Sequence, residues 1–230
     1  MSPARYLPLA SAASLLSDKD ERHLAMAWLE TQISNQTYQE FLERFWINDK
    51  KSLYIDVPYF SQLDSTTGHA ERMCQASSIA MAVSYLREDV IVDDDDYLNH
   101  VLDFGDVVAA NSHASALNKI GIKNEFKQDG KEQDICNLLN EGVPVPIGIL
   151  HRGTVKSPTG GGHWVTVIGY DTRGNYIVHD PFGKLDLVNG SYDHSTSGEA
   201  LIYESNLLIQ RWNISSSSDG WYWDLSGNDL

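Results

Sequence analysis

Cysteine, basic side chains and long apolar runs are all scarce in this chain. Its 230 residues include only two cysteines, Cys74 and Cys136, and no C-x-x-C pair. The sequence therefore indicates free thiols rather than a disulfide framework. No stretch approaches the roughly 20 consecutive apolar residues that a membrane-spanning helix needs, so we expect no insertion into a membrane.

The shortage of positive charge excludes further classes of partner. The chain has 17 lysines and arginines against 32 aspartates and glutamates, which gives a net charge of −15. A surface this acidic is repelled by phosphate backbones and by anionic lipids, so we expect neither nucleic acid nor a membrane surface as a partner. The hydrophobic content of 42% is nevertheless enough for a core. The length fits one domain with a small appendage, and we expect a monomer.

The N-terminus gives only a weak indication of targeting. Residues 1–16 carry Arg5 and then a short apolar run that contains Pro8, whereas a secretory signal needs a longer apolar stretch. We expect synthesis in the cytoplasm without a cleaved signal.

Helix-capping patterns divide the chain into a short and a long part. Ser17–Asp20 has the S-x-x-D form that begins a helix, and a second cap of this type follows. Together they predict an N-terminal helical hairpin over residues 1–50, in which Trp28 and Trp46 are interpreted as packing residues. Residues 51–230 then form the second, larger domain.

The larger part changes from helical to strand patterns along its length. Helices are predicted at 74–86, 112–120 and 131–141, and strands at 143–150, 163–171 and 176–180. Helices first and strands second indicate an α+β fold rather than alternating βαβ units. Because the first of these strands contains Pro144 and Pro146, we expect it near the edge of the sheet.

A run of four aspartates, Asp93–Asp96, allows two interpretations. Carboxylates are calcium ligands, but the glycine and the terminal glutamate of an EF-hand loop do not stand at the right spacing. The favoured interpretation is an acidic first turn of a helix, which the helix dipole stabilises.

A cysteine, a histidine and an aspartate stand in the chain order of a thiol hydrolase. Cys74 lies where a loop turns into a helix, and the backbone dipoles of a helix N-terminus stabilise a thiolate. His163 opens a strand, and Asp180 closes the next strand. Because a tight turn joins the two strands, cross-strand neighbours lie about 5 Å apart. We therefore expect the His163 and Asp180 side chains to meet.

These residue types supply the parts of nucleophilic catalysis. Cys74 would be the nucleophile, His163 the base, and Asp180 the carboxylate that orients the imidazole. Gln62 lies twelve residues before the cysteine, and its amide together with the Cys74 backbone N–H could stabilise an oxyanion. The other thiol, Cys136, is interpreted as a small buried residue of a helix.

A zinc site is the competing interpretation. His69, Cys74, His163 and His179 are possible ligands, but no pair of them has the spacing of a zinc motif. His179 and Asp180 also point to opposite faces of their strand, so both cannot line one site. We expect no metal and no other cofactor.

Around these residues the chain resembles the papain-like cysteine peptidases of the bacteriocin-processing (double-glycine) type. The matching segments are 57–62, the helix that begins at Cys74, 162–171 and 178–183. The resemblance is greatest to stand-alone members from cyanobacteria and their phages. It implies a papain-like fold with a helical part packed on an antiparallel sheet. It also implies Cys74, His163 and Asp180 as catalytic residues and Gln62 at the oxyanion hole.

The resemblance also suggests a substrate. A stand-alone, phage-like thiol peptidase implies an endolysin that hydrolyses stem or cross-bridge peptides of peptidoglycan, after release through a separate pore. The alternatives are a proteinase or leader-peptide peptidase, and an inactive papain-like module with a binding or virion-structural role. One departure concerns Gln75 beside the thiol, where many relatives have glycine or asparagine, and it could reshape the adjoining subsite.

Overall fold

The computed structural model describes residues 52–228. The predicted helical hairpin of residues 1–50, with Trp28 and Trp46, lies outside the described residues, so the division into two domains stays a prediction. None of the helices within the described range is long and apolar enough to cross a bilayer.

Helices precede most of the strands, and the predicted α+β class is confirmed. The helices in the described part are α1 Cys74–Leu86, α2 Asp94–Leu102, α3 Ala110–Lys119, α4 Glu132–Asn140 and α5 Ser205–Trp212. The strands are β1 Leu53–Tyr54, β2 Glu125–Gly130, β3 Val145–Ile149, β4 His163–Tyr170, β5 Tyr176–His179, β6 Lys184–Leu185, β7 Tyr192–Asp193, β8 Leu201–Tyr203 and β9 Gly220–Asp224.

One antiparallel sheet carries seven of these strands. Its order is β2-β9-β3-β4-β5-β8, and β1 also pairs with β4. Strand β1 pairs with the last residues of β4, with Leu53 opposite Tyr170. It lies beyond the first residue of β3, Val145, which pairs with Val167. Strands β6 and β7 form a separate two-stranded ribbon.

Helix α1 begins and ends where the sequence predicted, and it is buried along most of its length. Its small side chains, among them Ala76 and Ala80, are completely inaccessible to solvent. Thr166 of β4 donates its hydroxyl to the Ser78 carbonyl at 2.8 Å, which ties the helix to the centre of the sheet. The small side chains allow this close approach, and α1 also packs against α2.

The four aspartates of 93–96 begin α2, which confirms the favoured interpretation of this run. Asp93 caps the helix, since its side chain accepts a hydrogen bond from the Asp96 N–H at 2.8 Å. Asp94 is buried and accepts from the Ser77 hydroxyl of α1. Burial raises the pKa of Asp94 to about 6, because a desolvated carboxylate is less stable in its charged form.

Strand β3 lies inside the sheet, so the prediction of an edge position is wrong. It pairs with β4 along its whole length, but with β9 only at Ile147 and Gly148. Pro146, which has no N–H to donate, lies beyond the end of the short β9 ladder, and Pro144 precedes the strand. The prolines are tolerated because the pairing on one side of β3 stops before it reaches them.

The strand next to β3 comes from the C-terminal segment, for which the sequence predicted no element. Strand β9 lies between β2 and β3, with Trp223 opposite Phe126. Trp223 is fully buried, whereas Trp221 is 49% exposed. Strand β9 is therefore an inner strand of the sheet, second from the edge that β2 forms.

Candidate active site

His163 and Asp180 meet at one end of the sheet. The His163 Nε2 atom lies 2.8 Å from Asp180 Oδ1. The pairing of Thr166 with His179 places Asp180 diagonally across from His163. The tight turn between the two strands had led us to expect a directly opposite position. Diagonal neighbours are further apart in their backbones but stay within reach of a long side chain such as histidine.

The Asp180 carboxylate is completely buried, and four donors surround it. Oδ1 accepts from His163 Nε2 and from the Phe182 N–H at 3.0 Å. Oδ2 accepts from the hydroxyls of Tyr192 at 3.1 Å and Tyr203 at 3.0 Å. These hydrogen bonds offset the cost of burying a carboxylate and fix its orientation. Sequence reasoning missed both tyrosines, because nothing in their spacing connects them with Asp180.

His163 is held in its protonated form. Burial lowers the pKa of the imidazole, but the charge and hydrogen bond of Asp180 outweigh it, and Cys74 adds to the same effect, so that the pKa rises to about 10. The ring is enclosed by His151, with ring centroids 5.6 Å apart, and by Tyr192 at 5.4 Å. An imidazolium is therefore present across the neutral range.

Cys74 is the first residue of α1 and is partly exposed. Its thiol lies close enough to the His163 ring to help raise the pKa of the imidazole. Nδ1 is the ring nitrogen left to face the sulfur, because Nε2 faces Asp180. The first intrahelical bond of α1 runs from the Ser77 N–H to the Met73 carbonyl. The N–H groups at the very start of the helix are thus directed toward the end where the sulfur lies.

Gln62 is buried and contacts two turns. One turn leads to Cys74, and the other follows Asp180. The Gln62 amide nitrogen donates to the Ala70 carbonyl, and its backbone N–H donates to the Pro181 carbonyl at 3.0 Å. The amide has two hydrogens, and the bond to Ala70 uses one of them. Gln62 Oε1 has no hydrogen-bond partner.

The proposed zinc ligands do not converge. His179 is completely buried on the other side of its strand, as the sequence predicted. Both of its ring nitrogens are occupied, Nε2 by the Val57 carbonyl and Nδ1 by the Ala200 N–H. Within residues 52–228 no group of three or more potential metal-binding side chains is found.

Cys136 lies on the helix α4, as predicted, but it is partly buried, whereas the sequence was interpreted as giving a buried residue. Its sulfur is 3.8 Å from the Tyr176 hydroxyl. Its neighbour in the described part of the chain is thus a phenol, whereas the neighbour of Cys74 is an imidazole. The two thiols of the chain therefore lie in chemically different surroundings.

Cys74 and Gln75 line a cleft of about 710 Å³. Three glycines, Gly160–Gly162, form part of its wall just before His163. Phe126, Trp164 and Trp221 contribute aromatic surface. A volume of this size accommodates several residues of a peptide or another ligand of similar dimensions.

Comparisons with known proteins agree with this architecture. The family model described as the peptidase C39-like family matches residues 54–216. A crystal structure from Bacillus anthracis, described as that of a C39-like peptidase, matches with a TM-score of 0.52 at 17% sequence identity. That match covers 75% of this chain and 98% of the other, and at this identity it shows the fold alone.

No protein among the curated sequences matches significantly. The predicted papain-like fold is nevertheless confirmed, because both the family match and the structural match point to it. The family match spans well over half of the chain, and the protein therefore belongs to the peptidase C39-like family of papain-like cysteine peptidases.

Proposed function

We propose that this chain hydrolyses peptide bonds with Cys74 as the nucleophile, His163 as its acid–base partner and Asp180 as the orienting carboxylate. The observation that carries the proposal is the buried His163–Asp180 pair at 2.8 Å, with the Cys74 thiol near enough to the same imidazole to affect its pKa.

The geometry supports a two-step reaction. The Cys74 sulfur, as a thiolate, attacks the carbonyl carbon, and the proton on His163 passes to the departing amine, which leaves a thioester on Cys74. His163, now neutral, then takes a proton from water as the water attacks the thioester. The carboxylic acid is released and the thiolate–imidazolium pair is restored. Asp180 holds the ring in place in both steps.

Gln62 is proposed to stabilise the oxyanion that forms in each step. One amide hydrogen is available beside the turn that leads into Cys74, and the helix N-terminus adds backbone N–H groups. The amide would donate to charge that exists only in the transition state, and therefore its loss should change kcat rather than KM.

Gln62→Ala should accordingly lower kcat by about 10²–10³-fold with little change in KM. Steady-state kinetics on a peptide substrate measures both constants. Binding of the same peptide to a Cys74→Ala, Gln62→Ala double variant, compared with Cys74→Ala alone, is the control. If Gln62→Ala weakens binding and spares kcat, Gln62 is a substrate contact and the oxyanion role is wrong.

Metal removal should leave the activity unchanged. The groups that would have to form a zinc site are occupied elsewhere, since His179 is bonded at both nitrogens and His163 is bonded to Asp180. Activity measured after dialysis against EDTA should equal that of the untreated protein. Complete loss with EDTA and recovery with zinc would show that the reaction depends on a metal.

For the substrate, we propose stem or cross-bridge peptides of peptidoglycan, so that the protein would act as a wall-degrading enzyme. The support for this is the sequence resemblance to stand-alone, phage-like members. They carry a similar glycine-rich loop before the histidine, which in this chain is Gly160–Gly162. The net charge of −15 does not oppose it, because the glycan–peptide mesh is largely uncharged compared with anionic wall polymers.

Two parallel assays separate the substrate classes. Purified walls should lose turbidity with the wild type and not with Cys74→Ala, and mass spectrometry of the released fragments would identify the bond. Cleavage of casein without any effect on walls would favour the alternative of a proteinase. Inactivity of the wild type on both, with an unreactive Cys74, would favour an inactive binding module.

A further inference from the structure

The floor of the cleft contains a glycine between two tryptophans. Gly148 of β3 is paired with Trp164 of β4 on one side and with Trp221 of β9 on the other. Residues directly opposite one another in a sheet project from the same face, so these three positions share the face that forms the cleft floor.

Gly148 leaves room that its neighbours partly occupy. A Cβ atom at this position would lie 3.1 Å from the Trp164 ring, so Trp164 lies directly over the glycine. Trp164 contacts Phe126, with ring centroids 6.0 Å apart, and Phe126 meets Trp221 edge-to-face at 5.7 Å. The result is a continuous aromatic surface, formed by Phe126, Trp164 and Trp221, within the cleft that also contains Cys74.

Most of this surface is packed, but Trp221 is not. Trp164 is only 8% exposed and serves as a support, whereas Trp221 is 49% exposed. The apolar surface continues into Val108 and Ile214, which are 54% and 46% exposed at the cleft. A half-exposed tryptophan with exposed apolar neighbours in a concave site is more consistent with a contact for a ligand than with packing alone.

Among the described residues that line the cleft, the two charged side chains, Arg211 and Asp219, already have hydrogen-bond partners. Arg211 is fully buried and donates to the carbonyls of Leu150, Leu187 and Gly153. Asp219 accepts from the N–H groups of its own loop, at Ile214, Ser215 and Ser216. Apart from the catalytic pair, the described lining residues therefore offer aromatic surface and no charged side chain that lacks hydrogen-bond partners.

We propose that Trp221, supported by Phe126 and Trp164, forms a subsite for a bulky apolar side chain of the substrate, close to the bond that is cleaved. The inference rests on the proposed thiol chemistry at Cys74, because the subsite and the sulfur share one cleft. A charged side chain would lose its hydration there without gaining a partner.

The test compares the rates at which two kinds of reagent alkylate Cys74. Iodoacetamide needs no subsite and reports the reactivity of the thiol alone. Dipeptidyl chloromethyl ketones that carry phenylalanine at one of their two positions, with alanine at the other, report the subsite, and analogues with lysine, glutamate or only alanine are their references. Labelling at Cys74 is followed by mass spectrometry of the digested protein.

The wild type should prefer a phenylalanine reagent over the alanine reagent by about 10²-fold, and over the lysine and glutamate reagents by at least as much. Trp221→Ala should remove most of this preference and leave the iodoacetamide rate unchanged. Gly148→Ala, whose added methyl group would displace Trp164, should also reduce it. Phe104→Ala is the matched control, because Phe104 is 47% exposed but does not line the cleft.

The possible failures are distinguishable. If iodoacetamide does not label Cys74 faster than Cys136, the proposed thiol chemistry fails. If Cys74 reacts readily but the reagents show no preference, or if Trp221→Ala retains the preference, the subsite is wrong. Protection of Cys74 by N-acetylglucosamine oligomers, with no preference for phenylalanine, would also overturn it, since the aromatic surface would then bind sugar. Thermal unfolding of each variant confirms that it is folded.

Discussion

Replacement of Cys74 by alanine should abolish turnover, with a loss of about 10⁶-fold or to the limit of detection. The change removes the only atom that can form the thioester, and neither His163 nor Gln62 can replace it. The fold should be retained, because Cys74 is partly exposed at the start of α1 and alanine is compatible with a helix. The assay is steady-state hydrolysis of casein, of purified walls and of an activated ester.

Cys136→Ala is the matched control for this prediction. Cys136 is the other partly exposed thiol, and its contact is the Tyr176 hydroxyl rather than an imidazole. Its replacement should leave activity within about twofold of the wild type, because a surface substitution away from the site has only a small effect. Undiminished activity of Cys74→Ala would rule out the thiol mechanism.

Asp180→Asn should be the second most damaging change, with a loss of up to about 10⁴-fold in kcat. Asparagine keeps the shape of the carboxyl group but can favour the wrong tautomer of the imidazole. It also turns an oxygen that accepts from Tyr192 and Tyr203 into a group with a donor on one side. This figure is an upper bound, because a thiolate–imidazolium pair that is present before substrate binds depends less on its third member.

The pH profile separates this role from a merely structural one. Asp180 raises the pKa of His163 to about 10, so the imidazolium is present at neutral pH and is lost as the pH rises through about 10. The activity of the wild type should therefore fall on the alkaline side near that value. Without the charge of Asp180, the alkaline limb should move down toward the ordinary value of 6.5. A variant with lower activity but an unchanged alkaline limb would contradict the assigned role.

Local sequence patterns predicted the elements that carry the candidate site. The run of small residues after Cys74 indicated α1 with its correct ends, and the apolar, β-branched run after His163 indicated β4. The opposite faces of His179 and Asp180 follow from the two-residue repeat of a strand, and the structure places His179 in the core accordingly. These features depend on neighbours within a few residues, and for this reason one sequence is enough to predict them.

Features that depend on distant parts of the chain could not be predicted in this way. The sheet needed β9, whose pairing with β3 joins residues far apart in sequence, and the same missing strand led to the wrong edge position for Pro146. Tyr192 and Tyr203 reach Asp180 only after the chain has passed through the β6–β7 ribbon and β8. The aromatic run Trp221–Trp223 was the available sign of β9, since aromatic residues favour strands, but the segment is too short to stand out.

Trapping the acyl-enzyme is the most direct test of Cys74 as the nucleophile. The protein is mixed with an N-acyl amino acid p-nitrophenyl ester, quenched in acid within the first turnover and digested, and the peptides are analysed by mass spectrometry. The acyl group should be found as a thioester on Cys74 and not on Cys136, and its formation should slow greatly in His163→Ala. Rapid turnover with no acyl group on Cys74, or equal labelling of both thiols independent of His163, would contradict this role of Cys74.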